Sequence, residues 1–277
     1  MAKRIILILV TIISGLSILT TTTVASSSSQ AIPTIFFHGW ASSFRAEQYM
    51  TDALVKAGIT RPQDIIIANV SASGEVTFSH RLPVDAKNPV IEVNYQNNRN
   101  PNYYQDGQWA KKVIVALTQR YHFKKVNLVG HSLGNMDIMY YLLTSSKDTN
   151  LPSLNKQVAI AGNFNGILRV NTIDNQSQLN HQGRPLGQQY PAYRELEKLR
   201  QIYPRSARVL NIYGDLQDGS YSDGRVAVNS ARSLKYLVSA RAKSYQEKEI
   251  TGPLAEHSRL HHNDEVNQTI INFLYKK

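Results

Sequence analysis

The residues of this chain best suited to chemistry lie in one short segment, residues 130–134, with the sequence Gly-His-Ser-Leu-Gly. The segment fits the pattern Gly-x-Ser-x-Gly, in which the serine hydroxyl attacks a carbonyl carbon. An apolar run at 126–129 predicts a strand before it, and an apolar run at 133–143 predicts a helix after it. Ser132 is therefore predicted on a sharp strand-to-helix turn, with its hydroxyl exposed at the edge of a sheet. The alternative interpretation is an ordinary serine N-cap, since serine is favoured there.

A serine nucleophile needs a base to take its proton and an acid to orient that base. His257 lies in the loop between a predicted strand at 245–250 and a C-terminal helix, so it can reach the sheet edge where Ser132 is exposed. We predict His257 as the base, His261 as the second choice and His262 as the third. A competing hypothesis makes His257, His261 and Asp264 a metal site, because histidines four residues apart share one face of a helix.

The acid is predicted in the polar loop that follows a strand at 209–213. Asp223 is favoured because it stands just before a predicted helix at 226–238, and Asp218 is the alternative. Asp215 is expected to brace the loop, since Asp and Gly are common turn residues. Chain order is then Ser, Asp, His, as in one known arrangement of these three groups.

Two backbone N–H groups could stabilise the negative charge of a tetrahedral intermediate. Trp40 follows the first predicted strand in the sequence His-Gly-Trp, and Leu133 follows the serine. We predict that their N–H groups form the oxyanion hole, and that His38 is structural. The reaction requires no metal and no organic cofactor.

The rest of the chain alternates between predicted strands and helices. This pattern predicts an α/β fold with a mainly parallel central sheet and helices on both faces. Residues 163–204 interrupt the pattern with a long polar insertion, which is either a cap over the site or a surface excursion. The predicted strands are 32–37, 65–70, 76–78, 90–93, 126–129, 158–161, 209–213 and 245–250; the predicted helices are 45–57, 106–121, 133–143, 192–202, 226–238 and 265–274.

The N-terminus has the three parts of a secretory signal peptide. Lys3 and Arg4 precede an apolar run at 5–19, which is followed by small residues at 23–25. Such a run is short for a membrane span, which needs roughly 20 residues. We predict a signal peptide at 1–25, an α/β domain at 26–277 and a secreted or cell-surface protein; an uncleaved signal anchor is the alternative.

The amino-acid composition excludes several classes of protein function. The 277 residues include no cysteine, which excludes disulfide scaffolds and cysteine nucleophiles. Lys and Arg number 31 against 20 Asp and Glu, giving a net charge of +11, but they are scattered and form no nucleic-acid-binding module. We therefore expect no nucleic-acid partner, and a weak, salt-sensitive attraction to an anionic cell envelope.

Four segments together resemble the α/β-hydrolase superfamily. They are Phe-Phe-His-Gly-Trp at 36–40, Val-Gly-His-Ser-Leu-Gly-Asn at 129–135, Ser-Asp-Gly-Arg-Val at 222–226 and His-Ser-Arg-Leu-His at 257–261. The chain looks most like the secreted or cell-surface α/β-hydrolases of Gram-positive bacteria, many of them described only as a family of unknown function. The resemblance implies the α/β-hydrolase fold, with Ser132 as nucleophile, Asp223 as acid and His257 as base.

The same resemblance implies a substrate class. The segment at 222–226 matches the Asp-Gly-x-Val acid motif of bacterial lipases, which favours Asp223 over Asp218. The polar insertion departs from those lipases, whose lids are hydrophobic. The sequence thus predicts a serine hydrolase of small-molecule or lipid-like carboxylic esters, working through an acyl-enzyme. The alternative is a hydrolase-like protein that binds cell-wall polymer or a protein partner with little or no catalysis.

Overall fold

The computed structural model describes residues 31–171 and 178–276, so the predicted signal peptide lies outside the described residues. Within them, one sheet contains eight strands. The strands are β1 (Thr34–Phe37), β2 (Ile65–Val70), β3 (Val76–Phe78), β4 (Val90–Tyr95), β5 (Lys125–His131), β6 (Ser153–Ile160), β7 (Arg208–Asp215) and β8 (Ser244–Thr251). Their spatial order is β3-β2-β4-β1-β5-β6-β7-β8.

Neighbouring strands of this sheet are parallel, except that β3 folds back antiparallel on β2 as an edge hairpin. The carboxyl ends of the parallel strands therefore meet at one edge of the sheet. In open α/β sheets ligands bind at this edge. The predicted α/β fold with a mainly parallel sheet is confirmed.

Helices cover both faces of the sheet. They are α1 (Gln48–Lys56), α2 (Tyr103–Tyr121), α3 (Gly134–Ser145), α4 (Pro191–Leu196), α5 (Leu199–Ile202), α6 (Val228–Arg232), α7 (Leu234–Val238) and α8 (Asp264–Tyr275). Alternate residues of β1 point to opposite faces, as a strand requires: Ile35 and Phe37 pack with α2 and α3, and Phe36 packs with α1 and α8. Both phenylalanines are fully buried, which stabilises the fold by about 2–3 kcal/mol each.

The insertion at 163–204 is anchored to this core by its second half. Tyr193, Leu196, Leu199 and Tyr203 are completely buried among the residues of the α2 and α3 face. The Tyr203 hydroxyl also donates a hydrogen bond of 2.7 Å to the Gln157 side chain of β6. The second half of the insertion is therefore part of the folded domain.

Two predicted helices are each divided in the structure. The helix predicted at 192–202 forms as α4 and α5, and the helix predicted at 226–238 forms as α6 and α7. In the second case the break falls at Ser233, whose hydroxyl donates to the Ser230 carbonyl at 2.6 Å. Such side-chain bonds compete with the helical pattern, and a periodicity of apolar residues does not reveal them. None of the helices in the described ranges is long and apolar enough to cross a membrane.

Two carboxyl groups are buried where α1 meets β4. Glu47 is completely buried, and neither of its carboxyl oxygens has a hydrogen-bond partner among the described residues. Burial, and then the neighbouring Glu92, raises the pKa of Glu47 well above its usual value. Burial also raises the pKa of Glu92 to about 6, although the Thr51 hydroxyl donates to it at 2.7 Å. Glu47 thus occupies a site that disfavours its charged form.

We expect Glu47→Gln to reduce the loss of stability between pH 5 and pH 8. In the unfolded chain a glutamate ionises near pH ~4.3, whereas burial keeps Glu47 protonated to higher pH in the folded protein. The stability due to this residue is fully present below the unfolded pKa and is lost as pH rises toward the folded pKa, at about 1.4 kcal/mol for each pH unit between the two. Glutamine does not ionise. The free energy of unfolding of the variant, measured relative to that of wild type, should therefore rise by ~1–3 kcal/mol between pH 5 and pH 8.

Urea unfolding of both proteins at pH 5 and pH 8 measures this difference. Glu75→Gln is the matched control, because Glu75 is exposed in the β2–β3 hairpin and its replacement should leave the pH dependence unchanged. An equal free-energy difference between Glu47→Gln and wild type at the two pH values would contradict the prediction.

Candidate active site

Ser132 lies on the turn between β5 and α3, at the carboxyl edge of the sheet. β5 ends at His131, α3 begins at Gly134, and Ser132 between them has a φ of +51°. This left-handed conformation is uncommon outside glycine and strains the backbone. The Ser132 N–H holds the turn by donating to the Ile160 carbonyl of β6 at 2.9 Å.

The two glycines of the motif allow this turn to pack tightly. A Cβ at Gly130 would lie 2.8 Å from the Asn135 backbone nitrogen, and a Cβ at Gly134 would collide with the Phe37 carbonyl of β1. Real Cβ atoms do not approach backbone atoms so closely, and any side chain would force strand and helix apart. The Gly-x-Ser-x-Gly spacing is thus a packing requirement of the strand–turn–helix.

His257 reaches Ser132 from the loop after β8. Its Nε2 lies 2.9 Å from Ser132 Oγ, and its ring is almost completely buried. The short 3₁₀ turn Pro253–Ala255 leads the chain from β8 to this position. The two atoms are within the distance at which a base takes a hydroxyl proton.

Asp223, in the loop after β7, contacts the His257 ring on the side opposite to Ser132. Its Oδ2 lies 2.8 Å from His257 Nδ1, and its Oδ1 accepts hydrogen bonds from the N–H groups of Arg225 at 2.9 Å and Val226 at 2.7 Å. The His257 N–H also donates to the Asp223 carbonyl at 2.9 Å. The carboxyl group is 1% exposed and every contact fixes its direction, so it can orient the imidazole.

The other candidates for acid and base lie elsewhere. Asp218 is exposed and accepts from the Ser220 N–H at 2.9 Å, and Asp215 accepts from the Gln217 N–H at 2.9 Å, as a loop-bracing residue would. His261 packs its ring against the His131 ring with centroids 4.6 Å apart, and exposed His262 stacks on Tyr49. The structure therefore brings Asp223 and His257, but not these alternatives, to Ser132.

The two residues predicted as oxyanion donors belong to segments that adjoin the serine turn. Leu133 is the N-cap residue of α3 and makes no side-chain cap bond, and partial positive charge collects at such a helix N-terminus. Trp40 is half exposed and follows Gly39, where an added Cβ would lie 3.1 Å from Ser132 Cβ. Both predicted donors thus lie in segments next to Ser132, and their role in an oxyanion hole stays a prediction.

Two positioning residues were not predicted from the sequence. The buried His131 ring donates through Nε2 to the His257 carbonyl at 3.0 Å, which ties the base to the serine turn. The Asn135 side-chain amide donates to the Ser132 carbonyl at 3.1 Å and to the Ile160 carbonyl at 2.9 Å. Both residues lie within three positions of Ser132 in the sequence. That closeness was the only sequence signal of their positioning role.

Burial lowers the pKa of two histidines that lie beside the site. Burial, and next the neighbouring His257, lowers the pKa of His131 well below its usual value. Burial also lowers the pKa of His38, whose Nδ1 donates to the Gly39 carbonyl at 2.8 Å while its Nε2 accepts from the Tyr95 N–H at 3.3 Å. His38 is thus engaged with the backbone on both sides, consistent with the predicted structural role.

The structure does not have the shared helical face on which the competing metal-site hypothesis depends. His257 lies outside any helix, so His257 and His261 do not share a helical face. In the described parts of the chain, no three His, Asp or Glu side chains are grouped so as to hold a metal ion.

A family model described as "Alpha/beta hydrolase of unknown function" (DUF915) matches residues 21–277. The chain belongs to this family. The family description agrees with the mostly parallel eight-stranded sheet, so the resemblance inferred from the four sequence segments is confirmed. No curated protein matches the sequence.

Solved structures show the same α/β-hydrolase fold. A gene product of Listeria innocua is 26% identical with a TM-score of 0.81, covering 89% of this chain and 95% of its own. A Lactobacillus plantarum protein described as a "putative cell surface hydrolase" is 22% identical with a TM-score of 0.71, covering 88% of this chain and 91% of its own. An esterase of Pyrococcus furiosus is 14% identical with a TM-score of 0.51, covering 89% of this chain and 83% of its own. The fold supports hydrolase activity, and esterases are among its structural neighbours.

Proposed function

We propose that this α/β-hydrolase is a serine esterase that cleaves carboxylic esters through an acyl-enzyme. The observation that carries the proposal is the continuous chain of contacts from Ser132 Oγ to His257 Nε2, at 2.9 Å, and from His257 Nδ1 to Asp223 Oδ2, at 2.8 Å. Because each of these residues comes from a different loop, their alignment is not a by-product of local structure. It is the arrangement that serine hydrolases use on several unrelated folds.

In the proposed reaction, the side chains act in two stages. His257 takes the Ser132 proton as Oγ attacks the ester carbonyl carbon, and then gives that proton to the departing alcohol. The N–H groups of Trp40 and Leu133 stabilise the oxyanion. A water molecule, deprotonated by His257, next attacks the acyl-enzyme, and Ser132 recovers its proton as the carboxylic acid leaves. Asp223 holds the imidazole with its proton on Nδ1, so that Nε2 is free to accept.

We also propose that the protein works outside the cytoplasm, secreted or at the cell surface. The basic, apolar and small-residue segments of 1–25 support this location, as does the description of the Lactobacillus relative. The net positive charge would give the protein a weak, salt-sensitive attraction to an anionic envelope.

A fluorophosphonate probe tests the proposed function directly. The probe phosphonylates an activated serine with loss of fluoride, and peptide mass spectrometry locates the adduct. We expect one adduct per chain, on Ser132, and loss of 4-nitrophenyl acetate and butyrate hydrolysis in parallel with labelling. Labelling of another residue, or an unlabelled protein that hydrolyses neither ester, would overturn the proposal and favour a binding protein.

A further inference from the structure

Cations that are scattered along the sequence meet at the edge of the sheet opposite to Ser132, where strands β5 to β8 begin. These four strands are adjacent and parallel. The end of α8 lies beside them, because the Lys156 ammonium of β6 donates to the Phe273 and Leu274 carbonyls, each at 2.8 Å. Five segments of the chain form this edge, and we call their surface the basic face: 121–126, 149–157, 203–209, 239–246 and 272–276.

The basic face carries positive charge that no acid of its own balances. Its five segments contain, in order, two, one, two, two and one Lys or Arg residues, which makes eight, and not one Asp or Glu. The whole chain has 31 Lys and Arg against 20 Asp and Glu, so the imbalance here is local. Asp148, which borders the second segment, pairs with Lys111 at 3.6 Å. In the described ranges, no ion pair involves any of the eight cations.

An open groove of about 690 Å³ lies in the basic face, between the last turns of α8 and strands β6 to β8. Lys156, Arg208 and Lys276 line it. Lys156 and Arg208 are register partners on β6 and β7, so their side chains are neighbours in the groove. Burial, and next the Arg208 guanidinium, lowers the pKa of Lys156. An anion in the groove would relieve this repulsion between two cations.

The remaining polar groups of the groove are neutral. Gln246 and Asn272 contribute exposed amides, and Thr269 contributes a hydroxyl. Guanidinium and ammonium groups bind phosphate oxygens through charge-assisted hydrogen bonds. Amides and hydroxyls can both donate to and accept from the hydroxyl groups of a polyol. The groove therefore fits phosphate groups that are joined by hydroxyl-bearing units.

The basic face extends beyond the groove on both sides. Exposed Lys125 begins β5, next to β6, and exposed Lys243 precedes Ser244 of β8, the register partner of Arg208. Adjacent strands lie ~4.8 Å apart, so the cations of the four strands are spread over roughly 15 Å. A single phosphate group cannot contact them all, whereas a chain with one phosphate in each unit can. The charge distribution thus favours a polymer over a small anion.

An anionic bilayer matches this surface less well than a polymer does. Peripheral membrane surfaces combine cations with apolar side chains that enter the lipid interface. Large apolar side chains are exposed at seven positions in the described part of the chain, and none of these positions belongs to the basic face.

A nucleic acid also matches the groove less well. Proteins that bind single strands stack the bases on exposed aromatic rings. The two aromatic residues of the groove are otherwise engaged: the Lys156 ammonium lies 5.7 Å from the centre of the Phe273 ring, and the Tyr275 hydroxyl is hydrogen-bonded to the Thr34 hydroxyl at 2.7 Å. A polymer without bases needs no such rings.

We propose that the basic face binds a linear polymer of polyol units joined by phosphodiesters, with phosphate groups held in the groove by Lys156, Arg208 and Lys276. This inference is independent of the proposed esterase function. Strand β7 runs from Arg208 at the groove to Asp215 at the carboxyl edge, a length of about 25 Å. The bound polymer therefore holds the protein by one edge of the sheet and leaves the edge with Ser132 open.

Fluorescence anisotropy with an end-labelled poly(glycerol phosphate), long enough to span the basic face, tests this inference. Wild type should bind it, and raising NaCl from about 50 to about 300 mM should weaken binding about tenfold or more. The double variant Arg208→Gln with Lys276→Gln should bind about tenfold more weakly at low salt, because it loses two charge-assisted contacts. Lys156 is left unchanged because its ammonium also holds the end of α8.

The matched control removes two exposed cations from loops at the carboxyl edge, as Arg99→Gln with Arg259→Gln. It lowers the net charge equally, yet it should change the affinity by less than about twofold, since screening limits the reach of distant charges. Equal weakening in the two double variants would mean that binding follows net charge alone, and would overturn the inference. Thermal unfolding of both variants checks that they fold.

Three further measurements decide between the partners. Binding of single-stranded oligothymidylate with the same number of phosphates at least as tightly as poly(glycerol phosphate) would assign the face to nucleic acid. Sedimentation with phosphatidylglycerol vesicles that the Arg208 and Lys276 variant loses, without binding to the polymer, would assign it to a membrane. Saturating polymer should leave 4-nitrophenyl acetate hydrolysis unchanged, and inhibition would place the polymer at the carboxyl edge. Each of these contrary results overturns the inference, whereas a protein without esterase activity that still binds the polymer through the groove overturns only the proposed function.

Discussion

Ser132→Ala should lower kcat for 4-nitrophenyl butyrate by about 10⁴-fold or more, to the level of the binding and oxyanion groups alone. The variant keeps His257, Asp223 and the N–H groups around the turn, but it has no oxygen to form an acyl-enzyme. Alanine tolerates the φ of +51° about as well as serine does, and the N–H bond to the Ile160 carbonyl does not involve the side chain. The loss should therefore appear in the rate and not in stability.

Steady-state kinetics and fluorophosphonate labelling measure this effect together. Ser258→Ala is the matched control, because Ser258 is exposed and adjacent to His257, and is the nearest serine in sequence to the proposed base. It should retain both activity and labelling. If Ser132→Ala kept more than a few per cent of the wild-type rate, another nucleophile would carry the reaction and the proposed function would be wrong.

The sequence was sufficient to predict the fold class and the α/β-hydrolase family, because both depend on local patterns. Alternating strands and helices predict a parallel sheet, and a Gly-x-Ser-x-Gly segment between a strand and a helix predicts a serine on the turn between them. Ser132 lies on that turn, but the prediction of an exposed hydroxyl was wrong, because His257 and the surrounding loops leave only 8% of the residue exposed. The order of the strands and the antiparallel direction of β3 depend on pairing between distant segments, which no local pattern encodes.

Within the site, the choice between two aspartates could not be made from spacing alone. Asp223 and Asp218 occupy the same glycine-rich loop, five positions apart. The structure separates them by burial and by the two backbone N–H groups of Arg225 and Val226 that hold Asp223, and such contacts exist only in the folded loop.

Three buried polar side chains close to the serine turn, those of Asp106, Asp137 and Tyr95, had no sequence signal at all. Asp106 and Asp137 belong to the first turns of two helices, where acidic residues are favoured for the helix dipole alone. Tyr95 ends a buried strand, as many apolar residues do. The packing of α2 against α3 brings these groups together, and no local pattern encodes such packing between distant segments.

Asp223→Asn should lower kcat for the same esters by about 10³- to 10⁴-fold, and the reason lies in the hydrogen bonds of this loop. Asp223 Oδ1 accepts from the N–H groups of Arg225 and Val226. In the asparagine variant the carbonyl oxygen must take that position, because an NH₂ group would face two donors. The NH₂ group then points at His257 Nδ1 and donates to it.

This contact reverses the role of the imidazole. With Nδ1 accepting, the ring proton moves to Nε2, which faces Ser132 Oγ at 2.9 Å in the wild-type protein and would now be a donor there. Such a histidine cannot take the serine proton, so acylation slows although every residue keeps its place. The rate of fluorophosphonate labelling should fall in parallel with kcat, while the melting temperature changes little.

Asp218→Asn is the matched control and should leave both rates near wild type, because Asp218 is exposed and bonds within its own turn. If Asp218→Asn instead lost activity and Asp223→Asn kept it within about tenfold, Asp218 would be the acid, and the loop would have to rearrange on binding substrate.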